Sequence, residues 1–351
     1  MTGHSALSCH IIIFIDFVQE VSLNMAKVSI KDVAKHAGVS IATVSHVINN
    51  TRFVRDETKQ KVLKSIEELN YRPDATARSF KTGRKNLIAF VVPDISNDYF
   101  SALIEEIENV LSKFGLHLLV VNTKETEQRE LENLKLLSGG MVDGIILAST
   151  LSSYKPIAKL IPQSTPLVLI DRYLPESFRD SVTVSNSQAM SSAVEYLIEK
   201  GHKKIGYLTG LPRISTTIER LSAYRETMEK HGLPSDGLIR MGTSMSAGVA
   251  ESLDSLLEEG CTSLIISNNV MAIEAMTLLY VKGLDPRHNI ELVGYKDSEQ
   301  LQYGLHHMHL IKQPVAELGK AAGNLMLERL EHPDMPVQRI ILNADFAPRT
   351  D

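Results

Sequence analysis

Three groups of side chains in this 351-residue chain could do chemistry. The first is a polar run from Ser40 to Thr51, set among short stretches of helical apolar spacing in the most basic part of the chain. The second is a scatter of polar residues at and after the ends of strand-like runs, of the types that line small-molecule clefts. The third is His306, His307 and His309. Strand alternation would put His307 and His309 on one face, but no acidic or cysteine partner stands nearby in sequence to complete a ligand set. Packing is therefore the reading, and no metal or other cofactor is expected. The chain has no glycine-rich nucleotide fingerprint, Walker loop, nucleophile elbow or HExxH run, and Gly242-Thr243-Ser244-Met245-Ser246 lacks a closing glycine. An enzyme is not expected. Cys9 and Cys261 are too few for a disulfide framework or a zinc module and read as small apolar residues.

The polar run needs a scaffold, and the spacing predicts one. Ile30, Val33, Ala34 and Ala37 share one helical face, Ile41, Val44, Val47 and Ile48 share another, and Gly38-Val39-Ser40 breaks the two. A third helix over 57–69 offers Val62, Leu63, Ile66 and Leu69 to the same small core, and Pro73 ends the pattern. This is a helix-turn-helix with Gly38 at its turn and Ala34 and Ala42 where the helices cross. If Val44, Val47 and Ile48 are buried, Ile41, Ala42, Ser45 and His46 face outward together. Residues 25–85 hold 13 Lys+Arg against 6 Asp+Glu, a balance of +7, whereas the whole chain carries 37 against 42, leaving −12 elsewhere. A compact cationic head on an anionic body suits a module that contacts phosphates.

Beyond Arg84 short β-rich runs alternate with amphipathic helical ones, the pattern of βαβ units in a parallel sheet. Strands are expected over 87–92, 116–121, 144–148, 167–170, 182–184, 204–208, 263–266 and 291–295. Helices are expected over 99–114, 127–137, 186–200, 217–230, 245–258, 271–281 and 314–330. So many strands pack better as two lobes than as one open sheet, which leaves a cleft between them. Residues 1–24 read as an unstructured extension or a misassigned start, with Met25 the better beginning. They contain no Lys or Arg to open a signal peptide, and the apolar run 11–17 is interrupted by Asp16, so a cytoplasmic chain without a membrane span is expected.

The run Ser29-Ile30-Lys31-Asp32-Val33-Ala34-Lys35-His36-Ala37-Gly38-Val39-Ser40, followed by Thr43-Val44-Ser45-His46-Val47-Ile48-Asn49, resembles the headpiece of the LacI/GalR family of bacterial transcriptional regulators, closest to its purine-responsive members. The resemblance extends over 27–349 through Tyr71-Arg72-Pro73, Ala77-Arg78-Ser79, Val92-Pro93-Asp94-Ile95-Ser96-Asn97, Gly201-His202, Arg220 and Asn268-Asn269-Val270-Met271-Ala272. It implies an α/β chain with an all-α headpiece over 25–72, a hinge helix and linker over 73–85, and a two-lobed core resembling periplasmic sugar-binding proteins over 86–349. The lobes would be about 86–184 with 312–333, and about 185–311 with 334–349. A homodimer would read a roughly palindromic double-stranded operator and answer to a small molecule in the cleft.

On that template Ile41, Ala42 and His46 reach base edges, the first two through apolar contacts and His46 as a hydrogen-bond donor to guanine. Thr43, Ser45, Asn49 and Thr51 are expected at the phosphates, and Ser40 among the DNA-binding residues. Phe80 stands where relatives place a leucine wedge in the minor groove, with Arg78 or Lys81 on the nearby backbone. Cleft candidates are Tyr99, Phe100, Ser149 or Thr150, Asp171, Arg172, Thr216, Arg220, Asn268, Asn269 and Lys296. Many sugar-sensing relatives carry acidic residues where this chain has Ser185, Asn269 and Lys296, and Lys can only donate, which beside Arg220 suits a carboxylate or phosphate. The implied effector is a sugar acid of the ketogluconate or hexuronate type, with a phosphorylated or a neutral sugar as alternatives. Ile214 replaces a base-gripping arginine, which argues against a purine. The rival classes are a sugar-binding protein and an α/β enzyme without a DNA role.

Overall fold

The computed structural model describes residues 28–49, 51–72, 84–242, 248–285, 288–296 and 307–349, without the side chain of Lys296. The expected extension over 1–24, the hinge residues Arg78, Phe80 and Lys81, and His306 lie outside the described residues. The chain divides into two compact units, Met1–Lys85 and Asn86–Asp351.

The first unit holds α1 (Ile30–Ala37), α2 (Ile41–Asn49) and α3 (Asp56–Glu68). Helix α1 starts where the Asp32 carboxylate accepts from the Ser29 backbone N–H at 2.9 Å and from its hydroxyl at 2.6 Å. These bonds hold the Asp32 carboxyl below its ordinary range. The helix stops at Gly38, whose φ of +66° is a left-handed conformation that a Cβ would strain. Helix α2 is capped by Ser40, whose hydroxyl accepts from the Thr43 N–H at 3.1 Å. Val33, Ala34, Val44, Val47 and Val62 form the core. Leu63, expected inside, is 49% exposed. Ser65 takes the inner face instead, because it can donate to the Lys61 carbonyl at 2.9 Å and meet His36 Nδ1 at 3.0 Å.

The second unit has two six-stranded sheets. Its elements run β1 (Leu87–Val92), α4 (Asp98–Leu111), β2 (His117–Asn122), α5 (Glu127–Leu137), β3 (Gly144–Leu147), α6 (Lys155–Leu160), β4 (Leu167–Asp171), β5 (Asp180–Ser185), α7 (Ser187–Glu199), β6 (Ile205–Thr209) and α8 (Ser215–Lys230). They continue β7 (Ile239–Met241), α9 (Gly248–Glu258), β8 (Ser263–Ile266), α10 (Asn269–Val281), β9 (Glu291–Lys296), β10 (His309–Lys312), α11 (Val315–Glu331), β11 (Arg339–Asn343) and β12 (Asp345–Ala347). The first sheet is ordered β11-β5-β4-β3-β1-β2 and is parallel throughout. The second is ordered β12-β10-β9-β8-β6-β7, with only β12 antiparallel.

Strands buried on both faces must be apolar at nearly every position, and Leu87-Ile88-Ala89-Phe90-Val91-Val92 is such a run. One apolar body includes Ile88, Phe90 and Ile170 of the first sheet and Tyr207, Ile265 and Val293 of the second, and smaller clusters cover the opposite faces. Helix α11 returns to the first lobe and lies hard against α4. A methyl group on Gly319 would come within 2.6 Å of Glu106 Cβ, and one on Gly323 within 2.9 Å of Val110 Cβ. The chain crosses between lobes after β5, after β10 and after β11.

The expected allocation of 334–349 to the second lobe needs correction. Arg339–Asn343 lies beside β5 in the first sheet, with Ile340 and Leu342 packed inward, and only Asp345–Ala347 crosses over. A short edge strand with every second residue exposed lacks the continuous apolar run that marks its neighbours.

Candidate functional site

In the first unit, α2 presents a polar outer surface because Val44 and Val47 are withdrawn into the core. Ile41, Ala42 and Asn49 are exposed, while Thr43, Ser45 and His46 are half-buried. The hydroxyls of Ser40 and Thr43 lie 2.9 Å apart, and the Asn49 amide donates to the Ser45 carbonyl at 2.9 Å. Thr51 Oγ1 meets His46 Nδ1 at 2.8 Å. With the Thr51 hydroxyl as donor, Nε2 carries the proton and the ring presents a fixed N–H donor. A shallow depression beside it is lined by His46, Thr51, Arg52, Phe53 and Lys59. Arg52 and Lys59 add two cations that the helical pattern did not single out, since neither belongs to α2. Rigid polar side chains flanked by cations on an exposed helix suit phosphates and base edges.

In the second unit a cavity of about 220 Å³ opens between the lobes, at the carboxyl ends of the strands. From the first lobe it is lined by Asp94, Asn97, Tyr99, Phe100, Glu125, Asp171 and Arg172, and from the second by Ile214, Thr216, Thr217, Arg220, Asn268, Asn269 and Tyr295. Gln313, on the second crossover, also reaches it. Asp171 ends β4 at φ +67°, a conformation that aspartate tolerates better than most residues, and its carboxylate accepts from the Tyr99 hydroxyl at 2.7 Å. Arg172 donates to Glu125 Oε1 at 2.7 Å and to the Ser149 carbonyl at 3.1 Å, with its guanidinium 6.0 Å from the Phe100 ring centre.

Arg220 is buried, with its guanidinium 3.7 Å from the Tyr295 ring centre. It donates to Asn186 Oδ1 at 3.1 Å, the Ser267 carbonyl at 2.5 Å and Gln313 Oε1 at 3.1 Å. Asn269 reaches across the cleft to Asn97 Oδ1 at 3.1 Å, while Asn268 caps α10 by accepting from the Met271 N–H at 2.8 Å.

Ser149 is corrected, and with it the alternative Thr150. Both are fully buried and clasp the Glu130 carboxylate, Ser149 Oγ to Oε1 at 2.5 Å and Thr150 Oγ1 to Oε2 at 2.6 Å, so neither lines the cavity. Burial pushes the Glu130 carboxyl up, against the hydrogen bonds from Ser149 and Thr150 and the Arg172 charge. Lys296 ends β9 at the register position of Lys312, and its side chain lies outside the described residues. Asp94, Asn97, Glu125, Tyr295 and Gln313 went unpredicted; Tyr295 lies inside the expected strand 291–295, and Gln313 follows β10, where no strand was expected.

His309 packs inward, as expected for this segment. His309 is buried and its Nε2 meets Glu291 Oε1 at 2.7 Å, while His202 Nε2 meets the other oxygen at 2.7 Å. The Arg349 N–H donates to His309 Nδ1, which places the ring proton on Nε2. The acidic partner missing from the local sequence is supplied by the start of β9. Among the described residues no group of His, Cys, Asp and Glu could hold a metal ion, and no helix is long and apolar enough to cross a membrane.

Residues 29–74 match the family described as bacterial regulatory proteins, lacI family, and residues 85–347 match periplasmic binding proteins and sugar binding domain of LacI family. The chain is 34% identical over 315 residues to the HTH-type transcriptional repressor PurR of Haemophilus influenzae (strain PittEE), covering 89% of this chain and 94% of that protein. It is 32% identical over 319 residues to the ribose operon repressor of Escherichia coli (strain K12), covering 90% and 96%. Among solved structures it is similar to the lac repressor dimer bound to operator and the anti-inducer ONPF, with a TM-score of 0.79, 22% identity and coverage of 92% and 98%.

Proposed function

The chain belongs to the LacI family of bacterial regulatory proteins and is a DNA-binding transcriptional repressor rather than an enzyme; from that premise we propose that it binds a palindromic operator as a homodimer and releases it on taking up a small anionic sugar derivative in the interlobe cleft. The observation that carries the effector reading is the buried Arg220, stacked on Tyr295 at the second-lobe wall of a cavity whose first-lobe wall includes Tyr99 and Phe100. An aromatic side chain takes the C–H surface of a sugar ring, and a buried guanidinium favours an anionic group beside it. Asp94 and Asp171 accept from hydroxyls. About 220 Å³ lies below the roughly 300–1,000 Å³ of pockets for drug-sized ligands, which suits a single ring. Ile214, buried at the cavity wall, offers no hydrogen bond to a purine base.

In the headpiece Ile41, Ala42 and His46 read bases while Ser40, Thr43, Ser45 and Asn49 contact the DNA backbone and set the register; Thr51, whose one hydroxyl proton goes to His46 Nδ1, orients that ring instead of donating to a phosphate. A neutral sugar is the second reading, favoured by the similarity to a ribose operon repressor. A thermal-shift screen of D-glucuronate, D-galacturonate, 2-keto-D-gluconate, D-ribose and D-ribose 5-phosphate separates the two. A ligand at one hundred times its Kd stabilises by about 2.7 kcal/mol, roughly 5–10 °C for a unit of this size. The expected result is a shift with an acid and none with ribose; a shift with ribose alone overturns the anionic reading.

A further inference from the structure

Helix α8 carries a second charged residue beside Arg220, and it does not face the cavity. The Glu219 carboxylate turns to the first crossover, where Oε1 accepts from the Asn186 N–H at 2.8 Å, the Ser187 N–H at 3.2 Å, the Ser187 hydroxyl at 2.9 Å and the Ser185 hydroxyl at 3.1 Å. Oε2 accepts from Asn186 Nδ2 at 3.4 Å. A carboxylate on the opening N–H groups of α7 satisfies donors that the helix cannot, and sits at the positive end of its dipole. Asn186 is thereby gripped at both ends of its side chain, by Glu219 through its NH₂ and by Arg220 through its oxygen.

The same short stretch of α8 reaches the other connections. Arg220 donates to Gln313 on the second crossover, and the third is tied to the first by the Ala344 N–H, which donates to the Ser185 carbonyl at 2.9 Å. Ser215, the first residue of α8, accepts from the Tyr173 N–H of the opposite lobe at 2.9 Å. All three crossovers about which the lobes can turn are therefore linked to the helix that presents Thr216 and Arg220 to the cavity.

We infer that Glu219 is a positioning residue for the regulatory switch: it locks the first crossover to α8, so that a displacement of α8 by a ligand on Arg220 is imposed on the crossovers instead of being absorbed by a slack joint. This rests on the reading of the cleft as the effector site. A ligand can bias the lobe arrangement only through contacts that differ between arrangements, and a charge-locked joint converts one local contact into such a difference. Gln at 219 would present an NH₂ to a site made of donors, leaving Asn186 and then Arg220 and Gln313 less firmly held.

The test is amide hydrogen exchange on the full chain without ligand, comparing wild type, Glu219→Gln and Glu226→Gln; Glu226, on the same helix, accepts only an exposed bond from Ser222. Glu219→Gln is expected to speed exchange by about tenfold over 186–190 and also over 313–318, with Glu226→Gln unchanged at both. Acceleration confined to 186–190 would reduce Glu219 to a local helix cap and overturn the inference. Should Glu219→Gln not fold, Glu219→Asp keeps the charge one methylene short, and a smaller acceleration over both segments is expected; an effect on the first alone is again contrary. If none of D-glucuronate, D-galacturonate and 2-keto-D-gluconate binds the wild type, the effector reading fails while the exchange comparison stands.

Discussion

His46→Ala isolates the step from side chain to sequence recognition. The ring is oriented before DNA arrives, since Thr51 Oγ1 meets Nδ1 at 2.8 Å, and with the Thr51 hydroxyl as donor Nε2 is the nitrogen that carries the proton. A single hydrogen bond to guanine lies at the low end of the ~1–3 kcal/mol assigned to a base contact, so about 1–1.5 kcal/mol per half-site is lost. Two half-sites double this to about 2–3 kcal/mol, or roughly 30- to 150-fold in operator affinity. The assay is fluorescence anisotropy on a duplex selected in vitro by the wild-type chain and on its single-base-pair variants, at several salt concentrations. The loss should appear only where the selected base pair is present, and the salt slope should not change, because no phosphate contact has been removed. Equal weakening on every duplex, or a slope reduced by about one, would refute base reading and return His46 to the phosphates.

Other perturbations test the supports of the fold and cleft. Burial raises the Glu130 carboxyl above its usual value, so the folded state holds this proton longer than the unfolded one; its contribution is full below about pH 4.5 and lost as pH rises through the folded value. Glu130→Gln should flatten urea stability over that window, whereas Glu130→Leu, which strands the Thr150 N–H, should cost about 1–3 kcal/mol. Burial lowers the His309 imidazole despite the Glu291 bond, so the folded state resists its protonation and stability falls as pH drops below 6.5. His309→Gln should remove that early loss in pH-dependent melting and leave the part due to Glu291, whose carboxyl burial raises but the His202 and His309 bonds hold below 4.5. Arg220→Lys replaces a fork that reaches three acceptors with a single point charge, and should abolish the ligand-induced thermal shift.

Much of the α/β body was legible because strands such as 87–92 are continuous apolar runs and helices such as 99–114 put Tyr99, Phe100, Leu103, Ile107, Val110 and Leu111 on one buried face. The strands β7, β11 and β12 escaped because they are short runs at sheet edges, where a continuous apolar run is not required, and β10 because its four residues, His309–Lys312, hold only two apolar ones between polar ends. In the headpiece Leu63 and Ser65 exchanged roles, since hydrogen bonding to His36 outweighed the hydrophobic preference at one position. The cleft was legible near strand ends, where Tyr99 and Asp171 were found, and through the family resemblance, which marked Arg220 on α8; it was illegible where distant residues pair. Ser149 has the right address, but it is drawn inward by Glu130 from another element, which no local pattern announces. Glu219 was missed for the same reason: its partners lie 32 to 34 residues away.

The coupling of cleft to headpiece is tested most directly by titrating the full chain against its in-vitro-selected duplex at fixed salt, with and without saturating amounts of each acid that shifts its melting temperature. Operator affinity should fall at least tenfold with such an acid, while binding to random duplex stays constant, by analogy with coupling energies of about 1–3 kcal/mol. An acid that binds the cleft and leaves operator affinity unaltered would contradict the account.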